Sequence, residues 1–325
     1  MKIAVIGAGM AGLTAARTLS SQHEVVVFEK SRGVGGRIAT RQQEAFFFDH
    51  GAQFFAAKTP VFRDFIAPYQ AAGVVSVWKG HFQERTAQGV LSEREWEDEP
   101  AHFVGSPSMN AFPKSLAEGL YVRRMIRIQR LERTGFSWSL FADDDQCFAG
   151  FDWVVIAIPV AQARALIPSG IAFQSSLQAI EMQACYSLML GFNEPMTFGF
   201  DAALIHEADI SWISVNSSKP GRSPYPTLLV HSTNRWAEAH VDLPRAQVIE
   251  HLLQETETHV GPVVHQAVHV DVQRWLYANA EKRVDAEPCL LDRNQQIIAC
   301  GDWCIHGRIE AAFLSGQAAA AEITQ

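Results

Sequence analysis

The first sixteen residues, Met1 to Ala16, read MKIAVIGAGMAGLTAA, and this stretch decides the fold. Ile3 to Ile6 is a short apolar β-run; Gly7-Ala8-Gly9-Met10-Ala11-Gly12 follows it, and then a helix-compatible stretch. A G-x-G-x-x-G fingerprint between a strand and a helix is the phosphate-binding turn of a dinucleotide fold. Gly7 permits the tight turn, Gly9 lets the backbone approach a pyrophosphate, and Gly12 lets the helix pack close to the strand. The free N–H groups of the helix N-terminus, at Met10 and Ala11, and the positive end of its dipole then receive the phosphates. A second strand, Glu24 to Phe28, ends in Glu29, 22 residues after Gly7, with Lys30 beside it. A carboxylate at that spacing accepts a ribose hydroxyl. Strand, glycines and acid together specify a dinucleotide site.

Directly after Glu29 comes a second glycine-rich loop, Gly33-Val34-Gly35-Gly36-Arg37-Ile38-Ala39-Thr40. A plain NAD domain has no use for it, whereas many flavoproteins with two dinucleotide-binding regions carry G-G-R-x-x-[ST] at this place. Gly36 lets the backbone come close to a cofactor, and Arg37 offers a guanidinium fork to phosphates. The two loops tip the reading from NAD to FAD. Further along, the aromatic strand Phe46-Phe47-Phe48 runs into Asp49-His50-Gly51-Ala52-Gln53. Small Gly51 and Ala52 followed by the Gln53 amide suit backbone packed against an isoalloxazine ring, and His50 reads either as a pocket residue or as a satisfied structural histidine.

Length and composition set the frame. A chain of 325 residues exceeds the usual single domain, so two domains sharing one ligand are expected. A net charge of −8 offers no basic face for nucleic acid or an anionic membrane. Five cysteines without a C-x-x-C pair argue against a disulfide framework and a zinc knuckle. The Asp143-Asp144-Asp145 turn reads as a solvated charge cluster, so no metal is expected. A reducing, cytoplasmic setting fits, with no transmembrane stretch and the apolar N-terminus read as structure rather than as a signal peptide.

The remaining chain yields a helix from about Pro60 to Ala72, a strand from Val74 to Phe82 and an exposed charged hairpin or loop from Gln83 to Glu99. Tyr121 to Leu131 is expected as one strand, with Met125 or Ile126 touching an adenine. Asp152 to Pro159 (DWVVIAIP) is a continuous apolar strand, buried on both faces, that returns the chain to the central sheet. Near the end, Gly301-Asp302 follows a strand and precedes a helix of small residues. Asp302 is expected to bond the ribityl or pyrophosphate portion, and the helix start near Ile309 to aim its dipole at the flavin. The fold class is α/β: a discontinuous FAD domain (1–56, 103–168, 281–325) and a mixed-sheet cap for the substrate (57–102, 169–280).

With these residues in hand, the sequence resembles the FAD-dependent amine oxidase-like superfamily and, within it, the bacterial renalases. The resemblance runs through IGAGMAGLTAA, EKSRGVGGRIATR, DHGAQFFAA, WISVNSSKP, the strand into His231, RWLYA (Arg274 to Ala278) and GDWCIHGRIEAAFLSGQ. It implies a non-covalent FAD in a p-hydroxybenzoate-hydroxylase-type fold. It also implies oxidation of the 1,2- and 1,6-dihydro isomers of NAD(P) to NAD(P)+, with O2 reduced to hydrogen peroxide. The alternatives are an amine oxidase acting on a small amine and a redox sensor without turnover. Amine oxidases of the superfamily generally place a lysine that holds a water beside flavin N5. Here Lys219, in a Ser-Ser-Lys-Pro-Gly loop, and Lys282, in a charged segment, lie outside any buried apolar strand, so that lysine is expected to be missing. Dihydropyridines lose hydride without losing a proton, so positioning over N5 is the catalytic task and no side chain needs to act as acid or base. Trp212, Asn216, His231, Trp275 and Tyr277 are expected to line the pocket, with Asn216 reading a carboxamide and Trp275 and Tyr277 flanking a flat ring.

Overall fold

A computed structural model describes residues 1–96, 100–281 and 286–325. Lys282 and the end of the expected charged hairpin, 97–99, lie outside the described residues. The chain divides into two compact units: Met1–Arg37, Pro113–Met182 and Asn279–Gln325 form the first, Ile38–Phe112 and Gln183–Ala278 the second.

The first unit is built on a six-stranded sheet in the order Leu290–Asp292, Ile297–Ala299, Trp153–Ile156, Lys2–Ile6, Glu24–Glu29, Val122–Arg124. All neighbours are parallel except the first pair. Buried on both faces, its central strands read as unbroken apolar runs, AVI beside VVI and VVVF. The helices Met10–Leu19 and Ile309–Thr324 cover it. They touch because Gly316 has no side chain: a Cβ there would sit 2.3 Å from the Ala11 carbonyl oxygen. A three-stranded antiparallel sheet (Ile128–Thr134, Ser137–Ala142, Cys147–Phe151) completes the unit.

The expected strand Tyr121–Leu131 is in fact two, Val122–Arg124 and Ile128–Thr134, in different sheets. Met125 between them adopts a left-handed φ of 61°, which turns the chain out of the parallel sheet.

The second unit holds a seven-stranded mixed sheet: His269–Ala280, Met182–Gly191, Thr227–Ser232, Ile210–Val215, Ala202–Ile205, His81–Thr86, Gly89–Glu95. The expected strand from Val74 to Phe82 splits at Trp78–Gly80 into Val75–Val77 and His81–Thr86. The charged stretch after it is an antiparallel hairpin, and it joins the sheet because His81–Thr86 pairs in parallel with Ala202–Ile205. The helix Pro60–Ala71 starts where the sequence places it, capped by the Thr59 hydroxyl. Residues 38–56 and 103–112, assigned by sequence to the cofactor domain, belong to this unit. Phe46 and Phe48 form an apolar cluster with Met189 and Leu229, and Phe112 packs on Phe55 and Tyr69. Among the described residues no helix is long and apolar enough to cross a membrane.

Candidate functional site

In the first unit the glycines divide by duty. Gly7 has a φ of +104°, and a Cβ there would meet the Ala157 oxygen at 2.5 Å; a Cβ on Gly12 would lie 2.0 Å from the Gly7 oxygen. Both are needed for the turn itself. Gly9 differs, because a Cβ on it would meet no atom of the chain within 4 Å. It is also the N-cap of Met10–Leu19, with no side-chain cap and no acid in the first turn. The N–H groups of that first turn, at Met10 and Ala11, therefore lack the usual intrachain acceptor.

The second glycine loop lies against this turn: Gly35 N–H donates to the Ala8 oxygen at 2.8 Å, and Gly36 would bring a Cβ to 3.5 Å from the Gly9 Cα. Glu29 is buried at the strand end, its carboxylate accepting from Ala8 N–H at 2.9 Å and Ser31 N–H at 2.8 Å. Bare backbone, an uncapped helix start and an adjacent carboxylate match a dinucleotide: pyrophosphate on the first two, ribose on the third.

The other elements expected at a cofactor meet one another. Arg37, expected to face phosphates, holds Asp302 with both guanidinium nitrogens, one at 2.9 Å, so the carboxylate expected to bond the ribityl chain is engaged by an arginine. Ile126 is half-buried against the core and its N–H donates to the Glu29 carbonyl oxygen at 3.0 Å, placing it beside Glu29. Ile309 opens the C-terminal helix, whose N-cap Arg308 offers no side-chain cap. Lys30 is exposed and donates to Gln162 Oε1 at 3.3 Å.

The second unit contains a buried polar cluster that the sequence reading missed. Lys219 is fully buried, 2% exposed, at the end of the turn Asn216–Ser218. Its ammonium donates to Asn216 Oδ1 at 3.0 Å and Gln53 Oε1 at 3.1 Å, and lies 3.5 Å from Asp49 Oδ2. Asp49, also buried, is gripped by Arg222 at 2.7 and 3.0 Å, by the Thr40 hydroxyl at 2.6 Å and by Met109 N–H at 3.0 Å. The sequence reading placed Lys219 in a loop outside any buried apolar strand and did not foresee this burial. The turn's polar sequence suggests a solvated loop, yet the chain folds it onto a buried carboxylate. The available signal was Asp49 itself, an acid at the end of three phenylalanines, which demands a buried counter-charge.

Asn216, expected to read a carboxamide, has both ends of its amide engaged: Nδ2 donates to the Phe47 oxygen at 2.9 Å and Oδ1 accepts from Lys219. Gln53 accepts from Lys219 and from Ser214 Oγ at 2.7 Å, and donates to the Asp49 and Gly51 carbonyls at 2.5 and 3.0 Å. Gly51 and Ala52, both half-buried, lie on the same turn.

Burial alone would raise Asp49, but Lys219 and Arg222 hold its carboxyl below the usual range. Burial, against the pull of Asp49 and helped by Arg222, lowers Lys219 to about 7. His231 lies 3.4 Å from Gln53 Nε2, and burial, reinforced by Lys219 and His50, lowers it to about 4. His50 is likewise lowered to about 4, by burial first and Arg41 second. Both imidazoles are therefore neutral at pH 7. The His50 Nδ1 is buried with no hydrogen-bond partner among the described residues.

The Trp275 ring stacks on His50 at 5.3 Å and 15°, its Nε1 donating to the His50 carbonyl at 2.8 Å. Tyr277, two residues on, projects from the same side of that strand and is half-buried. Trp212 is the cross-strand neighbour of His231 and meets Phe54, Phe82 and Trp96 at 5.6–6.2 Å. The two clusters are continuous through Trp78, which Lys219 overlies at 5.2 Å.

The profile of the family described as flavin containing amine oxidoreductase matches residues 102–324, more than half of the chain. The chain belongs to that family. The profile of the NAD(P)-binding Rossmann-like domain matches residues 5–68, which contain both glycine loops. The family is one of flavin-containing oxidoreductases, and the cradle at Gly9 fits that cofactor class. It is similar to 4,4'-diapophytoene desaturase (4,4'-diaponeurosporene-forming) of Staphylococcus aureus strain Newman, 38% identical over 104 residues, 29% of this chain. The same enzyme of strain MRSA252 is 56% identical over 52 residues, 16% of this chain. These matches span only 21% and 10% of the relatives' lengths. Among solved structures, a protein provisionally named a protoporphyrinogen oxidase, from Exiguobacterium sp. 255-15, aligns over 99% of this chain and 98% of its own, with a TM-score of 0.78 at 12% identity. Putrescine oxidase bound to putrescine aligns over 100% and 99%, with a TM-score of 0.72 at 13% identity. At such identities these two establish a shared fold.

Proposed function

We propose that this chain is a renalase-like oxidase that holds FAD non-covalently and oxidises the 1,2- and 1,6-dihydro isomers of NAD(P) to NAD(P)+, with O2 reduced to hydrogen peroxide. The carrying observation is the charge state of the second unit's cluster. Its carboxylate, Asp49, is closed off by Arg222, Lys219 and Thr40, and both imidazoles are neutral at pH 7. No carboxylate of this cluster is left to hold an ammonium group, while His50 stacked on Trp275 offers a flat, uncharged platform. A dihydropyridine ring suits such a surface, since its oxidation yields an aromatic pyridinium with no proton to remove. Bound FAD supplies the hydride acceptor. The chain's residues bind and orient: His50 and Trp275 fix the plane of the ring, Tyr277 borders it, and Gln53 is locked by Lys219 and Ser214. Placing the donor carbon within about 3.5 Å of the acceptor is then the main source of rate.

Oxidation of a small amine is a second reading, and Lys219 favours it. A buried amine lowered to about 7 can take or give a proton near neutrality, which amine oxidation uses and dihydropyridine oxidation does not.

Anaerobic stopped-flow mixing separates the readings. The 1,2- and 1,6-dihydro isomers should bleach the flavin far faster than 1,4-dihydro NAD(P)H or benzylamine. Faster bleaching by a primary amine would select the second reading, and bleaching by none of these donors would defeat both.

A further inference from the structure

We propose that Asp209, His251 and Glu255, a cluster of the second unit outside the residues discussed so far, form a binding site for one divalent transition-metal ion of the zinc type. Asp209 stands immediately before the strand Ile210–Val215; His251 and Glu255 are one turn apart on the helix Arg245–Val260, on one face. One ligand atom from each lies within 4.8 Å of the other two. His251 Nε2 is 3.0 Å from Asp209 Oδ2, and Glu255 Oε2 accepts the Asp209 N–H at 3.0 Å. The Trp236 indole lies parallel to the His251 imidazole at 4.6 Å and 4°, which fixes the plane in which its nitrogen lone pair can point.

Charge makes the case beyond proximity. Two half-buried carboxylates lie close together, and among the described residues no lysine or arginine pairs with either; Asp209 meets His251. Two carboxylates beside an imidazole nitrogen form a donor set whose negative charge a divalent cation offsets. One nitrogen and two oxygens suit zinc, whereas magnesium prefers oxygen alone. Zinc bonds of about 2.0–2.2 Å place tetrahedral ligand atoms about 3.3 Å apart, so a rotation of the Glu255 side chain closes the set and water takes the fourth position. The ion would act as a brace. The Asp209 carbonyl accepts Thr233 N–H at 2.7 Å, so this corner joins the helix to the strands that carry Trp212 and His231.

The test uses the flavin-loaded full chain with Cys147→Ser, because the exposed Cys147 thiol would itself take zinc. Zinc titrated calorimetrically and counted by elemental analysis after dialysis should bind at one ion per chain. Tenfold more Mg2+ should not compete, and Tm should rise with zinc. His251→Gln and Glu255→Gln should each weaken zinc binding about tenfold or more and abolish the Tm increase. His251→Gln also loses the stack on Trp236; if it fails to fold, Glu255→Gln decides alone. No zinc bound to the parent, or zinc bound equally well by Glu255→Gln, would overturn the site and leave a hydrogen-bonded cluster only.

Discussion

Lys219 shows how much one buried residue controls. Burial lowers its pKa from 10.5 to about 7, so between those values it is neutral when folded and charged when unfolded. The unfolded state then binds the extra proton, and stability must rise with pH through that window; below about 7 both states are protonated, the slope vanishes and the folded state bears the full cost of the buried charge. Lys219→Met removes this dependence. In urea titrations the wild-type-minus-variant stability difference should grow between about pH 7 and 8.5, below the range of ordinary thiols, by up to about 1.4 kcal/mol per pH unit. A flat difference would mean that Lys219 stays charged when folded. Glu29 offers a second test at this scale. Its carboxylate serves the protein's own turns, at Ala8 N–H and Ser31 N–H, so Glu29→Ala leaves two donors without their acceptor. Such a loss costs about 1–3 kcal/mol. The flavin-free variant should therefore melt below flavin-free wild type, in addition to retaining flavin less well; an unchanged apoprotein Tm would restrict Glu29 to the ribose.

At the level of elements, the strand–turn–helix at the N-terminus separates folding from binding. Gly12 and Gly9 belong to one motif, yet a methyl on Gly12 strikes the Gly7 carbonyl at 2.0 Å whereas a methyl on Gly9 enters open space. Gly12→Ala should lower Tm strongly or prevent soluble expression. Gly9→Ala should fold with near-native apoprotein Tm and circular dichroism but purify colourless, because its methyl occupies the pyrophosphate's place. Normal flavin content in folded Gly9→Ala would remove Gly9 from the cradle. This motif was legible because its spacing is local and each glycine answers to one steric demand. The run Tyr121–Leu131 was not, because β-propensity cannot show that Met125 turns left-handed and sends its two halves to different sheets. The aromatic strand Phe46–Phe48 was recognised, but its apolar partners, Met189 and Leu229, lie far along the chain and assign it to the second unit.

Over the whole molecule, the parallel sheet and both glycine loops could be read from sequence, while the cluster of Asp49, Gln53, Lys219 and Arg222 could not. The bonds that tie Asp49 and Gln53 to Ser214, Lys219 and Arg222 join residues more than 160 positions apart, and no periodicity records them. The cysteines mark a similar limit. Cys304 stands two residues beyond Asp302 in the sequence, beside an element expected at the flavin. In the fold all five thiols are free, and Cys304 is 1% exposed, with burial pushing its pKa up to about 12. Cys300 is raised as well, again by burial. Covalent capture of a flavin requires an accessible thiolate, and neither residue can supply one near neutrality. A ligand held at Gly9 by backbone N–H groups and a helix dipole would lose both interactions on unfolding. The purified protein should therefore be yellow, and heat or acid precipitation should leave a white pellet under a yellow supernatant whose flavin co-migrates with FAD on chromatography. Flavin retained in the washed pellet would require a covalent bond that the buried thiols argue against, and release of riboflavin monophosphate would overturn the dinucleotide reading of the Gly7–Gly12 turn.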